Sequence, residues 1–243
     1  MDSNDYRYLY SYIIMDNFIK NNITVVIPTY NAERTINNTL SIVTKIFKNV
    51  IIVDGYSQDL TIDICKKYKI KIFKSKKNRG KQLNLGAKKS LTTWILFLHA
   101  DCVIQNDIVE EIKTFISIKN KYKAAAFKLK FDQNNIYSRC LSSIVLIRSK
   151  YLKLPYGDQG LLISKLFYKK VNGYKEIPIM EDVEIIKSIG FKNIKILNSY
   201  IITSAIRYKS EGWLIRPLIN LYCLILYLLG FNINKINKIY LRK

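Results

Sequence analysis

Two unbroken runs of β-branched residues constrain this chain most: Ile23 to Pro28 and Val50 to Asp54. Such runs fit strands of a parallel sheet covered on both faces, where no side of the strand meets water. Each is followed by a helical period. Strand and helix signals alternate through Ala32 to Phe47, Ser57 to Tyr68, Ile70 to Phe73, Lys81 to Ser90 and Trp94 to His99, which argues an α/β fold with helices on a parallel sheet. In the first helix Ile36, Leu40, Val43 and Phe47 recur every three or four residues. Asn31 is placed to cap that helix and Glu33 to meet its positive end.

In open α/β sheets, ligands gather beyond the carboxyl ends of the strands. The segments expected there are Thr29 to Asn31, Asp54 to Ser57 and His99 to Asp101. None of these strands leads into a GxGxxG or Walker A sequence, which argues against a dinucleotide fold and a P-loop NTPase. The second half is less regular, with a helix over Ile136 to Tyr151, a loop at Pro155 to Gly160 and an acidic turn at Met180 to Glu184. No linker composition separates the halves, so 243 residues read as one domain.

Asp101 follows an apolar strand directly and could hold a divalent ion against phosphate charge, or simply cap the next turn. His99 is the sole histidine. It reads as a packed or supporting residue slightly ahead of a direct ligand.

Six short segments then occur in order: Val26-Ile27-Pro28-Thr29-Tyr30-Asn31, Val53-Asp54-Gly55-Tyr56-Ser57-Gln58-Asp59, Arg79-Gly80-Lys81-Gln82-Leu83-Asn84-Leu85-Gly86-Ala87, Phe97-Leu98-His99-Ala100-Asp101, Gly157-Asp158-Gln159-Gly160 and Met180-Glu181-Asp182. Together they resemble family 2 glycosyltransferases of the GT-A fold, in particular the short bacterial subgroup associated with arsenosugar biosynthesis. The resemblance runs from about Ile23 to Asn232 and implies a Rossmann-like, mostly parallel sheet flanked by helices.

That resemblance implies transfer of a sugar from a nucleoside diphosphate sugar to an acceptor hydroxyl by an inverting single displacement. Pro28, Thr29, Tyr30, Asn31 and Asp54 would line the nucleoside pocket, with Arg79, Lys81 and Asn84 near base or phosphates. Asp101, with His99 as a second candidate, would hold Mg2+ or Mn2+; His99-Ala100-Asp101 stands where the wider family has Asp-x-Asp. The base would be Asp182, beside Glu181. Gly157, Asp158 and Gln159 would lie under the acceptor, and Arg207-Tyr208 resembles the Arg-Trp pair that closes such sites. Read without the resemblance, Asp54 is also a turn residue, Arg79 and Lys81 surface charge, and Glu181 and Asp182 acids favoured at a helix start.

The expected domain runs over 23–232: a nucleotide-binding half to about 101, an acceptor half over 102–210 and an apolar helix over 213–230. Residues 1–22 read as an N-terminal extension, dispensable before Met15, and 233–243 as a basic tail. Asp2, Asp5 and Asp16 argue against a secretory signal. Cys65, Cys102, Cys140 and Cys223 form no CxxC or zinc pattern. The expected location is therefore cytoplasmic, peripheral on the inner face of the cell membrane. No charge falls between Pro217 and Asn234, and Lys235, Lys238, Arg242 and Lys243 follow. That pattern reads as a helix lying on an anionic membrane, ahead of a plain core helix or a span.

The net charge of +22 is shared between compositional bias and function. It motivates one reading of another class, a basic nucleic-acid-binding module, whose binding would fall steeply with salt. No nucleic-acid motif accompanies the charge, so nucleic acid is not an expected partner. The expected partners are a nucleoside diphosphate sugar and an unidentified acceptor, small or lipid-linked. Within enzymes the alternative is a polyprenyl-phosphate sugar synthase at the membrane surface.

Overall fold

The computed structural model describes residues 17–241 apart from 20, 106 and 118–122. The expected extension before Met15 and the final Arg242 and Lys243 lie outside the described residues. Strands β1 (Ile23–Thr29), β2 (Asn49–Asp54), β3 (Lys71–Lys74) and β4 (Trp94–Phe97) alternate with helices α1 (Glu33–Ile46), α2 (Thr61–Lys67) and α3 (Arg79–Lys89). Then follow β5 (Cys102–Ile104), α4 (Ile108–Ser117), β6 (Ala124–Phe131), α5 (Ile136–Tyr151), a 3-10 turn (Gly157–Gln159), β7 (Leu161–Ser164) and α6 (Lys165–Lys170). The chain ends through α7 (Glu181–Ile189), β8 (Ile194–Thr203), α8 (Ile206–Glu211), α9 (Ile215–Leu228) and α10 (Ile233–Leu241).

The strands form one sheet in the order β3-β2-β1-β4-β7-β6-β8-β5. Its first half is parallel throughout. Beyond β4 it is mixed: β7 runs antiparallel to both β4 and β6, β5 antiparallel to β8, and β6 parallel to β8. The strand order therefore reverses at β1 and β4, and their carboxyl ends open toward one cleft.

Alternation along the buried strands divides the core into two layers. Val25 and Ile27 of β1 pack with Ile36, Leu40 and Val43 of α1, and with Ile108 and Ile112 of α4. Val26 faces the other way, toward Leu83 and Ala87 of α3 and Ile185 and Ile186 of α7. The close fit of α3 depends on Gly86, since a β-carbon there would collide with Val26. Ile19 is 1% exposed within the first layer, so the chain joins the core before β1.

Asn31 does not cap α1 as expected. It takes a left-handed backbone with φ 47°, and its side chain accepts from the Gln58 amide at 2.9 Å. The helix starts after Ala32 without a side-chain cap. Asn78 caps α3 instead, accepting from the Lys81 N–H at 2.9 Å. The basic stretch after 233 is a helix: α10 buries Ile236 against Cys223 and Leu224 of α9. Among the described residues no helix is long and apolar enough to cross a membrane.

Candidate active site

The first wall of the cleft is the turn between β1 and α1 locked to the turn after β2. Asp54, fully buried, accepts from the Thr29 hydroxyl at 2.9 Å, the Ser57 hydroxyl at 2.6 Å and the Ser57 N–H at 2.8 Å. Gln82 of α3 reaches under both strands and donates to the carbonyls of Thr29 and Val53, each at 2.8 Å. These bonds satisfy strand-end groups that the sheet leaves unpaired. Pro28 and Thr29 are buried, whereas Tyr30 and Asn31 stand exposed at the rim. The Lys77 ammonium sits 3.7 Å from the centroid of the Tyr30 ring, a cation over an aromatic face.

The second wall is His99-Ala100-Asp101, carried on the end of β4 and turned back by the His99 carbonyl accepting from the Cys102 N–H at 3.3 Å. Nitrogen, carboxylate and thiol ligand atoms of His99, Asp101 and Cys102 lie within 4.8 Å of one another. Burial, reinforced by the Arg79 charge, lowers the His99 pKa to about 3, so its imidazole is neutral at physiological pH. Burial raises the Asp101 carboxyl. It also pushes the Cys102 thiol well above its usual range, so without a metal that sulfur is protonated and the nitrogen and carboxylate are the ready donors.

The third wall is the turn at Gly157–Gln159, and the fourth is the start of α7. Met180 enters that helix with φ 66°, a left-handed conformation costly for a side chain with a β-carbon. Glu181 and Asp182 follow in the first turn. Asp182 accepts from the Gly157 N–H at 3.1 Å. A β-carbon on Gly157 would come 2.5 Å from His99 Nε2 and 3.7 Å from the Asp182 β-carbon. Gly157 thus stands between the β4 turn and α7, and any side chain there would force the His99 ring or the turn to shift.

Arg79, from the first turn of α3, donates to Glu181 at 2.8 Å. Burial raises the Glu181 carboxyl and the Arg79 charge opposes that rise. Arg79, His99, Gly157, Tyr174, Glu181 and Asp182 line one cavity floored by Phe97 and Leu161. Asp158 closes the set. Burial raises its pKa to about 6, with Arg148 opposing and the charges of Asp182 and Asp101 adding to the rise. One of its carboxylate oxygens is buried without a hydrogen-bond partner among the described residues. Acids from β4, the 3-10 turn and α7 therefore share one electrostatic neighbourhood.

Four expected contacts are arranged otherwise. Gln159 is wholly buried; its amide donates to Phe127 at 2.7 Å and accepts from Ser149 at 2.8 Å and Arg148 at 3.1 Å, so it braces the turn from beneath. Asn84 accepts from the Tyr168 hydroxyl at 2.6 Å and the Tyr174 N–H at 3.0 Å, and holds that loop rather than facing the cavity. Lys81 pairs at 3.4 Å with Glu176 at the surface. Arg207 donates to Glu211 at 2.8 Å and to the Tyr240 hydroxyl at 2.9 Å. In each case a partner distant in sequence claims the polar group. Tyr208 stacks on Trp213 with centroids 5.5 Å apart.

Sequence reasoning passed over Tyr174, Arg148 and Arg216. Arg148 lies 3.4 Å over the Tyr156 ring, and Arg216, 1% exposed, lies 3.9 Å over the Tyr240 ring. The only local signal for either was an arginine in an apolar helix.

Residues 24–168 match the profile of glycosyl transferase family 2. The chain belongs to glycosyl transferase family 2. An uncharacterized glycosyltransferase of Haemophilus influenzae is 32% identical over 186 residues, covering 71% of this chain and 67% of that protein. The poly(ribitol-phosphate) beta-N-acetylglucosaminyltransferase TarS of Staphylococcus aureus is 29% identical over 105 residues; the match spans 38% of this chain and 18% of TarS. In three dimensions the glycosyltransferase superimposes on TarS 1-349 in complex with UDP-GlcNAc with TM-score 0.59 at 17% identity, covering 90% of this chain and 70% of that one. It also superimposes on mannosyltransferase PcManGT from Pyrobaculum calidifontis in complex with GDP-Man and Mn2+, with TM-score 0.62 at 13% identity over 88% and 68% of the two chains. The fold of this glycosyltransferase is GT-A.

Proposed function

We propose that this glycosyltransferase moves a sugar from a nucleoside diphosphate sugar to an acceptor hydroxyl, with inversion, and that Asp182 is the general base. One observation carries the reading: Asp182, which accepts from the Gly157 N–H, and His99 line one cavity, and a carboxylate oxygen of Asp101 lies within 4.8 Å of a His99 ring nitrogen, so a proton acceptor and a cation-binding donor pair are neighbours. Sugar nucleotides in TarS and in PcManGT, the latter with Mn2+, support the same chemistry for this fold.

The donor pair fits a divalent ion. A neutral imidazole and a carboxylate suit Mn2+, and the Asp158 carboxyl, buried near Asp101 and Asp182, adds to the negative charge of the site. His99 and Asp101 would hold the ion, which when bound supplies positive charge against the leaving diphosphate. The remaining work falls to the chain. Tyr30 and Asn31 at the rim offer the nucleoside its contact surface, with Asp54 fixing their turn from below. The Asp182 oxygen takes the acceptor proton as the acceptor oxygen bonds to the anomeric carbon and the bond to the diphosphate breaks on the opposite face. The Gly157 N–H orients that carboxylate. Arg79 opposes the rise of the Glu181 carboxyl and puts a positive charge beside the departing oxygens.

A second reading, transfer to a polyprenyl phosphate, is favoured by the uncharged outer face of α9. Labelled sugar extractable into organic solvent separates the two.

The direct test is thermal unfolding with sugar nucleotides, with and without Mn2+. A donor at about 100 times its dissociation constant adds roughly 2.7 kcal/mol of stability, a rise of roughly 5–10 °C for a chain this size. The Asp101→Asn variant should lose the Mn2+-dependent part of that rise. Indifference of the wild type to every sugar nucleotide, or an unchanged Mn2+ response in the variant, would contradict the proposal.

A further inference from the structure

Helix α9 is apolar on both sides. Its inner side buries Cys223 and Leu224 against Met180 and Val183, which bracket the acids of α7. Its outer side should then be polar, as on ordinary surface helices. Instead every exposed residue between Leu214 and Phe231 is Leu, Ile, Tyr, Phe or Gly. Leu214, Leu218, Leu221, Ile225 and Leu228 are 69%, 63%, 52%, 46% and 57% exposed and recur at spacings of four and three, forming one ridge along the helix. On α5 exposed Ile136, Cys140, Ile144, Ile147 and Tyr151 also recur at such spacings, but exposed Arg139, Ser143 and Lys150 flank that row, whereas no exposed residue of α9 is charged. A continuous apolar ridge of this kind marks an interaction surface.

Charge decides what covers it. With a net charge of +22, a second copy of this chain would meet strong repulsion, whereas an anionic surface is attracted. Exposed Lys235 and Lys238 on α10 follow the ridge directly. The 14 residues of α9 extend about 21 Å, short of the roughly 30 Å hydrocarbon core, so the helix can lie along a bilayer but cannot cross it.

We infer that the outer face of α9 docks on an anionic phospholipid membrane, with the leucine ridge in the acyl boundary and the lysines of α10 at the headgroups. Because α9 packs directly behind Met180 and Val183, docking holds the catalytic cavity one helix thickness from the lipid surface. An acceptor borne by the membrane comes within reach in that position.

The test is co-sedimentation of the full chain with vesicles of phosphatidylcholine alone or mixed with phosphatidylglycerol. Two matched variants are compared: Leu218→Glu with Ile225→Glu on α9, and Leu91→Glu with Leu166→Glu, at positions 87% and 82% exposed elsewhere. The wild type should bind the mixed vesicles. The α9 variant should lose on the order of ten-fold or more in partitioning, and the control variant, with the same charge change, far less. Three results overturn the inference: no binding to mixed vesicles, equal losses in both variants, or a dimer in light scattering that the α9 variant dissolves. Sugar-nucleotide binding is measured separately, so failure here leaves the transfer reaction untouched.

Discussion

Gly157→Ala isolates the geometry on which the site depends. The backbone at 157 is not left-handed, so alanine meets no conformational penalty there. The obstacle is steric. The new methyl would lie 2.5 Å from His99 Nε2 and 3.0 Å from its Cε1, short of an ordinary contact of about 3.5 Å by roughly an ångström. Either the imidazole rotates away or the 3-10 turn retreats. Retreat lengthens the Gly157 N–H to Asp182 bond, which at 3.1 Å already lies near the upper limit for a hydrogen bond. A misplacement of about 1 Å in a catalytic group costs on the order of 10²-fold in rate, equivalent to about 2.7 kcal/mol of transition-state stabilisation. Overpacking should also cost about 1–3 kcal/mol of folding stability. The assay is release of nucleoside diphosphate, read as kcat/KM, alongside the melting temperature and donor affinity. The expected result is a large fall in kcat/KM in a folded protein that still binds donor. Wild-type turnover in the alanine variant would refute the argument that this glycine joins the two walls.

Two further predictions concern charge. Asp158 has a folded pKa raised to about 6 from 3.8, so the folded state holds its proton longer than the unfolded one and stability falls as pH rises between those values. In metal-free protein Asp158→Asn should therefore gain up to about 3 kcal/mol over wild type above pH 6, with no gain at pH 3; a pH-independent difference in unfolding free energy would contradict this. Glu184 behaves oppositely. Burial alone would raise it, but bonds from Lys175, Tyr227 and Lys187 outweigh burial and lower it to about 2 from 4.5. Its contribution is full above pH 4.5 and lost as pH falls toward 2, so Glu184→Gln should cost on the order of 3 kcal/mol near neutrality and little at pH 2. Denaturant titrations at both pH values measure it.

The first half of the fold was legible because its signals are local. The β-branched runs and the period of Ile36, Leu40 and Val43 each specify an element without reference to distant residues. The second half was not, since β5 and β7 are three and four residues long and take their direction from partners far along the chain. For the same reason the strand-end motifs located the cleft but not the orientation of every side chain in it. Gln159 lies in the expected turn and Asn84 on the expected helix, yet each turns inward, because Phe127 and Ser149 in one case and Tyr168 and Tyr174 in the other require partners. Asn31 shows the same limit at a helix start: Gln58, 27 residues away, claims the side chain expected to cap α1. A loop polar residue has two destinations, and sequence distance hides which one is used.

The account stands or falls on Asp182→Asn, assayed for donor binding and for sugar transfer in the same preparation. The amide keeps the shape and an acceptor for the Gly157 N–H but cannot take a proton at neutral pH. The expected result is donor affinity close to wild type with transfer reduced by about 10²–10⁴-fold. Transfer at the wild-type rate would remove Asp182 from the chemistry and with it the proposed mechanism.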